Sequence, residues 1–187
     1  MTPVLIMLAV LAGLALVLGL WLMGTYNGLV ALRLAVKNAW VQIDVQLKRR
    51  HDLIPNLVNT VKGYAAHEKD TFERVIAARA RATSATTPAD CIKAEGELSS
   101  ALARLLAVTE AYPELKANEN FKSLMEELSS TENRVAYARQ FYNDSVTKLN
   151  TGIQTFPAVL VAGMLGFKEE PFFETPSEQR EAPKVQF

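Results

Sequence analysis

The hydrophobic residues of this chain form one continuous block at the amino terminus and then a series of helical stripes. From Val4 to Met23 every residue is Val, Leu, Ile, Met, Ala, Gly or Trp, and no charged side chain precedes Arg33. A helix of this length extends roughly 30 Å, the thickness of the hydrocarbon core of a bilayer. Trp21 and Tyr26 stand at one end of the block, where aromatic residues anchor membrane helices. We therefore predict a transmembrane anchor over residues 1–24.

A cleaved signal peptide is the main alternative for this block. Signal peptides have a basic start, a shorter apolar run and a small-x-small cleavage site, whereas this chain begins Met1-Thr2-Pro3 and its block ends in WLMGTYNG. An uncleaved, single-pass anchor fits better. The basic residues begin on the carboxyl side, with Arg33 and Lys37, so the positive-inside rule predicts a short amino terminus outside and a cytoplasmic carboxyl-terminal domain.

Beyond the anchor, apolar residues recur at steps of three and four, which is the period of one helical face. The clearest stripes are Val36, Trp40, Ile43 and Leu47; Phe72, Val75 and Ile76; Leu98, Leu102, Leu105 and Val108; and Leu124, Leu128, Val135, Ala138, Tyr142 and Leu149. Thr87 is a good N-cap, and Pro88 is a good first helical residue. We predict an all-α protein in which the transmembrane helix is followed, over residues 25–155, by an antiparallel up-and-down four-helix bundle of long helices.

The segment AWVQIDVQLKRRHDLIPNLV, residues 39–58, allows two interpretations. In the first, one helix continues through Pro55 with a kink, as the continuous apolar register suggests. In the second, a helix ends at the basic triplet of residues 48–50, which complements the negative end of its dipole, and Asp52 caps the next helix. We favour the break because it yields four helices of similar length, which bury more shared core.

The same segment holds the one cluster that suggests catalysis or metal binding. Asp44, His51 and Asp52 offer ligands and acid–base groups, but Lys48 lies between them, and no HExxH motif or cysteine pair accompanies them. Caps, turns and surface salt bridges are the better interpretation. Cys91 lies near a predicted helix start, where a thiol pKa can fall, but we interpret it as a plain helix residue. The sequence thus predicts no enzyme activity, no catalytic, cofactor-binding or metal-binding residues, and no cofactor.

Two segments follow the predicted bundle. Residues 156–167, FPAVLVAGMLGF, carry no charge but are too few to span a bilayer. We favour a hydrophobic lid that packs on the end of the bundle; the alternative is an interfacial segment that contacts lipid or a neighbouring subunit. Residues 168–187 are rich in proline and charge and predict a flexible tail.

Several long blocks of the sequence resemble the LemA family of bacterial membrane proteins. The blocks are YNGLVALRLAVKNAWVQIDVQLKRRHDLIPNLVNTVKGYAAHE, LLAVTEAYPELKANENF, LSSTENRVAYARQFYNDSVTKLNTGIQTFP and AGMLGFKEEPFFE, in this order between Tyr26 and Glu174. The resemblance implies an amino-terminal transmembrane helix in the bacterial inner membrane and an up-and-down bundle of four long helices. It implies no enzymatic activity, and it gives a hint of a membrane protease as a partner.

The leading functional hypothesis is a non-enzymatic scaffold that self-associates and organises the membrane or its proteins. An adaptor for a membrane protease or signalling protein is the alternative. Expected partners are the lipid bilayer, further copies of the chain and a membrane protein; a nucleic acid is not expected, because Lys plus Arg and Asp plus Glu balance at 20 each. The candidate interaction residues are Lys48, Arg49, Arg50, Asp52, Phe156, Leu160, Met164 and Phe167.

Overall fold

The computed structural model describes residues 2–65 and 67–173, and this part of the chain is helical without any strand. The helices are α1 (Thr2–Lys62), α2 (Lys69–Ser84), α3 (Pro88–Thr109), α4 (Pro113–Ala117), α5 (Glu119–Gln154) and α6 (Val159–Ala162). The all-α prediction is thus confirmed for the described residues.

The amino-terminal part of α1 has the properties expected of a membrane anchor. Among the described helices, α1 alone is long and apolar enough to cross a membrane, and its best window has a mean hydropathy of 2.7. None of that window is buried by the rest of the described chain. An apolar surface of this size that no protein covers is typical of a helix surrounded by lipid.

The predicted break in the first helix is wrong, because α1 continues through Pro55 to Lys62. A proline inside a helix cannot donate to the carbonyl four residues earlier, which here belongs to His51. The Arg79 side chain of α2 supplies the missing donor, since its Nε lies 2.7 Å from the His51 carbonyl oxygen. Asp52 is consequently an exposed residue in the middle of a helix and caps nothing.

The predicted start of α3 is confirmed. Thr87 has an extended backbone, its Oγ1 accepts a hydrogen bond from the Asp90 backbone N–H at 3.1 Å, and Pro88 opens the helix. The Thr87 hydroxyl also donates to the Asp90 carboxylate at 2.6 Å. Asp90 therefore places its negative charge in the first turn, where the helix dipole favours it.

The chain packs into two compact units. The larger unit contains residues from Val41 to Gln140, together with Phe173. Its hydrophobic core draws on α1, α2, α3, α4 and α5, and consists of Ile54, Leu57, Val58, Val61, Ala65, Phe72, Val75, Ala78, Ala82, Ala94, Leu98, Leu102, Leu105, Leu115, Phe121 and Leu128. Members of the apolar stripes in this core are Phe72, Val75, Leu98, Leu102, Leu105 and Leu128, whereas Ile76, predicted in the same stripe as Phe72, is 55% exposed. Burial of the apolar residues is the main source of stability of this unit.

The smaller unit contains the part of α1 up to Trp40 and residues from Phe141 to Phe172. The Trp40 and Tyr142 rings meet edge to face, with centroids 5.5 Å apart. Further along, a Cβ on Gly152 would lie 3.1 Å from a methyl of Leu32, so glycine is what permits this close approach. Trp40 of α1 thus contacts an earlier residue of α5 than Leu32 does, and the two helices are therefore antiparallel within this unit.

Residues just after α6 bind back onto α5. The Asn150 side chain forms two hydrogen bonds with the Glu170 backbone, at 3.0 and 2.9 Å, and the Tyr142 hydroxyl donates to the Pro171 carbonyl at 3.0 Å. The first part of the predicted flexible tail is thus held in place. Its remainder, from residue 174 onward, lies outside the described residues.

Candidate functional site

The larger unit contains a buried ionic network centred on Arg50. Arg50 and Glu95, from α1 and α3, are each only 1% exposed, and the Arg50 Nη1 lies 3.0 Å from the Glu95 Oε2. The Arg50 Nη2 lies 2.8 Å from the Ser99 hydroxyl and 2.8 Å from the Glu132 Oε1. The second carboxylate oxygen of Glu95 lies 2.6 Å from the Nε2 of His51. One guanidinium thus joins α1 to α3 and α5.

This network corrects the assignment of Arg50 and His51 to helix-end and surface roles. Both residues lie on the buried face of α1, in register with Leu47 and Ile54. Sequence reasoning also missed Glu95 and Glu132. The signal was present for Glu95, because it lies at helical spacing from Leu98 and Leu102, where a charge is buried only with a partner. Glu132 gave a weaker signal, since its side chain is 44% exposed.

Arg139, on α5, is the second arginine of this cluster. Burial lowers the pKa of Arg139, and the positive charge of Arg50 lowers it further. The Arg139 guanidinium lies over the ring of Phe173, 4.5 Å from its centroid. Within the part of the chain that the structure describes, the buried Nε atoms of both arginines have no hydrogen-bond partner. The two arginine charges in this region therefore face carboxylates and an aromatic ring.

Cys91 is buried beside this cluster, and its environment does not favour a nucleophile. Loss of hydration raises the pKa of the thiol to about 11, and the nearby charges of Glu95 and Asp44 add to the increase. Burial therefore outweighs the position near a helix start, which on its own lowers a thiol pKa. At neutral pH the group is a neutral thiol, in agreement with its interpretation as a plain helix residue.

The cluster is suited to fixing helices and poorly suited to catalysis. Its central ion pair is closed to solvent, so a substrate has no approach to it. The described residues include no group of three or more His, Cys, Asp or Glu side chains with the geometry to hold a metal ion. A buried, multiply bonded ion pair stabilises one alignment of the helices over others, since any slip leaves charges unpaired.

The other candidate interaction residues separate into exposed and buried groups. Lys48, Arg49 and Asp52 are exposed on α1. In the segment of residues 156–167, the exposed candidates are Phe156, Leu160 and Met164, whereas Phe167 is buried. Binding by the exposed residues stays a prediction, and the buried Arg50 and Phe167 serve internal contacts in this structure.

Comparison with known proteins assigns the chain to a family. The sequence model of the LemA family matches residues 39–187. The chain belongs to the LemA family. The resemblance noted in the sequence blocks is thereby confirmed. Membership in this family and the uncovered apolar part of α1 make the protein a membrane-associated helical protein.

Its relatives include proteins of named bacteria. The chain is similar to magnetosome protein MamQ 2 of Paramagnetospirillum magneticum, with 25% identity over 175 residues that cover 80% of this chain and 64% of that protein. It is similar to magnetosome protein MamQ of Magnetospirillum gryphiswaldense, at 26% identity over 79% of this chain and 64% of that one. Protein LemA of Metamycoplasma hominis is 24% identical over 84% of this chain and 72% of its own length. The chain thus spans about two thirds of the length of the MamQ proteins.

Proposed function

We propose that this protein is a non-enzymatic, membrane-anchored helical scaffold whose copies associate through α1. The observation that carries the proposal is an apolar surface on the side of α1 that faces away from the hydrophobic core. Leu34, Val41 and Val45 are all more than half exposed there. Exposed aliphatic side chains in a row are unfavourable in water and are commonly covered by a partner.

Helical geometry defines this surface. Val41 and Val45 each lie two residues from the fully buried Ile43, and two residues turn an α-helix by about 200°, so both face away from the core. Further exposed residues continue the row at steps of four and three. The full row, termed here the outer stripe, is Leu34, Asn38, Val41, Val45, Lys48 and Asp52.

Steps of four and three are the spacing by which two helices pack in a coiled coil. The apolar members of the outer stripe provide the contact that excludes water. Asn38 is a polar residue at a packing position, which in coiled coils favours one register at some cost in stability. Lys48 and Asp52 also lie on the outer stripe, so the proposal places two of the candidate interaction residues in the contact with a second copy.

The direction of this association follows from the anchor. Copies inserted in one membrane by the same end of α1 run parallel, so identical residues of the outer stripe lie at the same level. Parallel packing is also compatible with an up-and-down arrangement of the four long helices, which we retain as part of the proposal because α1, α2, α3 and α5 all supply core residues. The positive-inside rule supports a cytoplasmic position for the folded part at the bacterial inner membrane.

Disulfide crosslinking in native membranes tests the association. Val41 and Val45 are replaced singly by cysteine in a Cys91→Ala background, and Gln42→Cys, which is exposed but about 100° away from Val41, is the matched control. Mild oxidation is expected to give a crosslinked pair of chains at Val41 and Val45 and much less at Gln42. Equal crosslinking at the three positions contradicts the proposed surface. A crosslink from Val41 to a different protein favours the adaptor function instead.

A further inference from the structure

The smaller unit has an apolar surface on residues 156–167, the segment that includes the short helix α6. Phe156, Leu160 and Met164 are 80%, 65% and 88% exposed. Leu160 lies within the short helix α6, and Phe156 and Met164 lie four residues before and after it in the chain. Residues 156–167 contain no charge, and charges return only with Lys168. The exposed surface is therefore formed by an uninterrupted apolar segment.

Internal contacts attach this segment firmly to α1. Phe167 is only 4% exposed, and its ring centroid lies 5.8 Å from that of Tyr26. The Arg33 guanidinium lies 5.0 Å from the centroid of the same ring. Ala158 lines a shallow apolar groove together with Thr25 and Gly28 of α1. Both ends of the segment are thus attached to residues 25–33 of α1.

The attachment determines the depth of the segment relative to a bilayer. Residues 25–33 follow directly after the apolar block that ends at Met23. At 1.5 Å per residue, Tyr26 lies about 5 Å and Arg33 about 15 Å beyond the end of that block. The headgroup region begins where the hydrocarbon core ends and adds roughly 5–8 Å on each side of it. When α1 spans a membrane, the contacts of the segment with Thr25, Tyr26 and Gly28 therefore lie within the headgroup region, and its contact with Arg33 lies on the aqueous side of that region.

We propose that residues 156–167 form an interfacial foot, in which Phe156, Leu160 and Met164 insert into the boundary between headgroups and acyl chains. The occupant of the exposed surface is lipid, since the surface adjoins the membrane-spanning part of α1 and lies at headgroup depth. The buried Phe167 side chain holds the foot against α1. The inference rests on the proposed membrane anchor but not on association between copies. It assigns a second membrane contact, on a part of the chain far from the anchor in sequence.

Fluorescence quenching by spin-labelled lipids tests the foot in the full chain. Cysteine replaces Phe156, Leu160 or Met164 singly in a Cys91→Ala background, and each variant is labelled with a small environment-sensitive fluorophore. The protein is reconstituted in vesicles of phosphatidylethanolamine and phosphatidylglycerol that contain a lipid with a doxyl group near the headgroup end of its acyl chain. Tyr137→Cys is the matched control, because Tyr137 is a comparably exposed aromatic residue of α5. Leu16→Cys, in the apolar block, reports on the anchor.

The three foot positions are expected to lose several times more fluorescence than the Tyr137 position. Quenching at Leu16 together with foot positions that behave like Tyr137 overturns the foot but leaves the anchor standing. No quenching at Leu16 contradicts the anchor itself. A disulfide between two copies at Leu160, without quenching there, means that a second copy covers the surface, and this also overturns the proposal.

Discussion

Replacing Arg50 by methionine should destabilise the protein far more than the same change at Arg81. Arg50 and Arg81 each bind a glutamate of α3, at 3.0 and 2.9 Å, so the two pairs have nearly the same length. They differ in burial: the first pair is 1% exposed at both side chains, and the second is 58% and 43% exposed. Methionine retains most of the aliphatic stem of arginine and removes the charge.

The magnitudes follow from this difference in burial. Loss of one partner of a buried pair leaves the other charge unsolvated, which costs about 3–5 kcal/mol. An exposed pair contributes only about 0–1 kcal/mol. Glu95 retains His51 as a neighbour after the Arg50→Met change, but it loses its cationic partner of fixed charge. Adding Glu95→Leu removes the stranded carboxylate and should restore at least about 1 kcal/mol, because contacting residues are not additive.

Urea unfolding of the full chain in nanodiscs, followed by far-ultraviolet circular dichroism, measures these free energies. The anchor stays helical in the bilayer and contributes a constant signal. If the ionic network stabilises the fold as described, the free energy of unfolding falls strongly for Arg50→Met and slightly for Arg81→Met. It recovers in part in the double variant Arg50→Met with Glu95→Leu. Equal losses at Arg50 and Arg81, or a double variant as unstable as the sum of its single changes, refute the reasoning.

Three further predictions concern single side chains. Because the pKa of Cys91 is raised from 9.0 to about 11, the unfolded chain ionises first, so the free energy of unfolding should fall as pH rises from 9 towards 11. Cys91→Ala should reduce this slope in a pH series of urea titrations, and the raised pKa of Tyr142 should leave a remainder of the same sign. Gly152→Leu should destabilise the smaller unit by about 1–3 kcal/mol, because a Cβ there lies 3.1 Å from Leu32, whereas Gly24→Leu, with open space around it, should not; thermal melting compares them. Phe167→Ala should cost about 3–5 kcal/mol and speed amide exchange in residues 156–171, whereas Tyr137→Ala, at an exposed aromatic residue of α5, should leave both within error.

Local patterns in the sequence predicted the features that depend on neighbouring residues. The composition of the first block predicted the anchor, and Thr87 with Pro88 predicted the start of α3, since a cap acts within one turn of helix. The apolar stripes predicted the core of the larger unit, because burial repeats with the helical period. The first helix, in contrast, involves a contact between residues that are far apart in the sequence.

The break at residues 48–55 was favoured because it gave four helices of similar length, whereas the continuous apolar register had indicated the uninterrupted helix that the structure shows. The Arg79 side chain that binds the His51 carbonyl lies 28 residues away in the sequence, and no local rule reveals such a donor. The ionic network has the same character, since Arg50 and Glu95 are 45 residues apart. Sequence spacing indicates that both residues occupy core positions, but it does not indicate which charges meet.

The foot shows a third kind of limit. The sequence of residues 156–167 favoured a packed lid and left an interfacial segment as the alternative. In the structure Ala162 and Phe167 are buried, whereas Phe156, Leu160 and Met164 are exposed. The hydrophobicity of so short a segment does not indicate which of its side chains are buried and which are exposed. The contacts of the Phe167 ring with Tyr26 and with the Arg33 guanidinium account for the burial of this end of the segment.

The mass of the full chain released from nanodiscs in a native mass spectrometer tests the scaffold most directly. The proposed function predicts a defined multiple of the 20.6 kDa chain, and Val41→Glu with Val45→Glu should return it to a single chain, because buried carboxylates on the outer stripe repel between copies. A wild-type protein that remains at 20.6 kDa at the highest concentration measured would contradict association through α1.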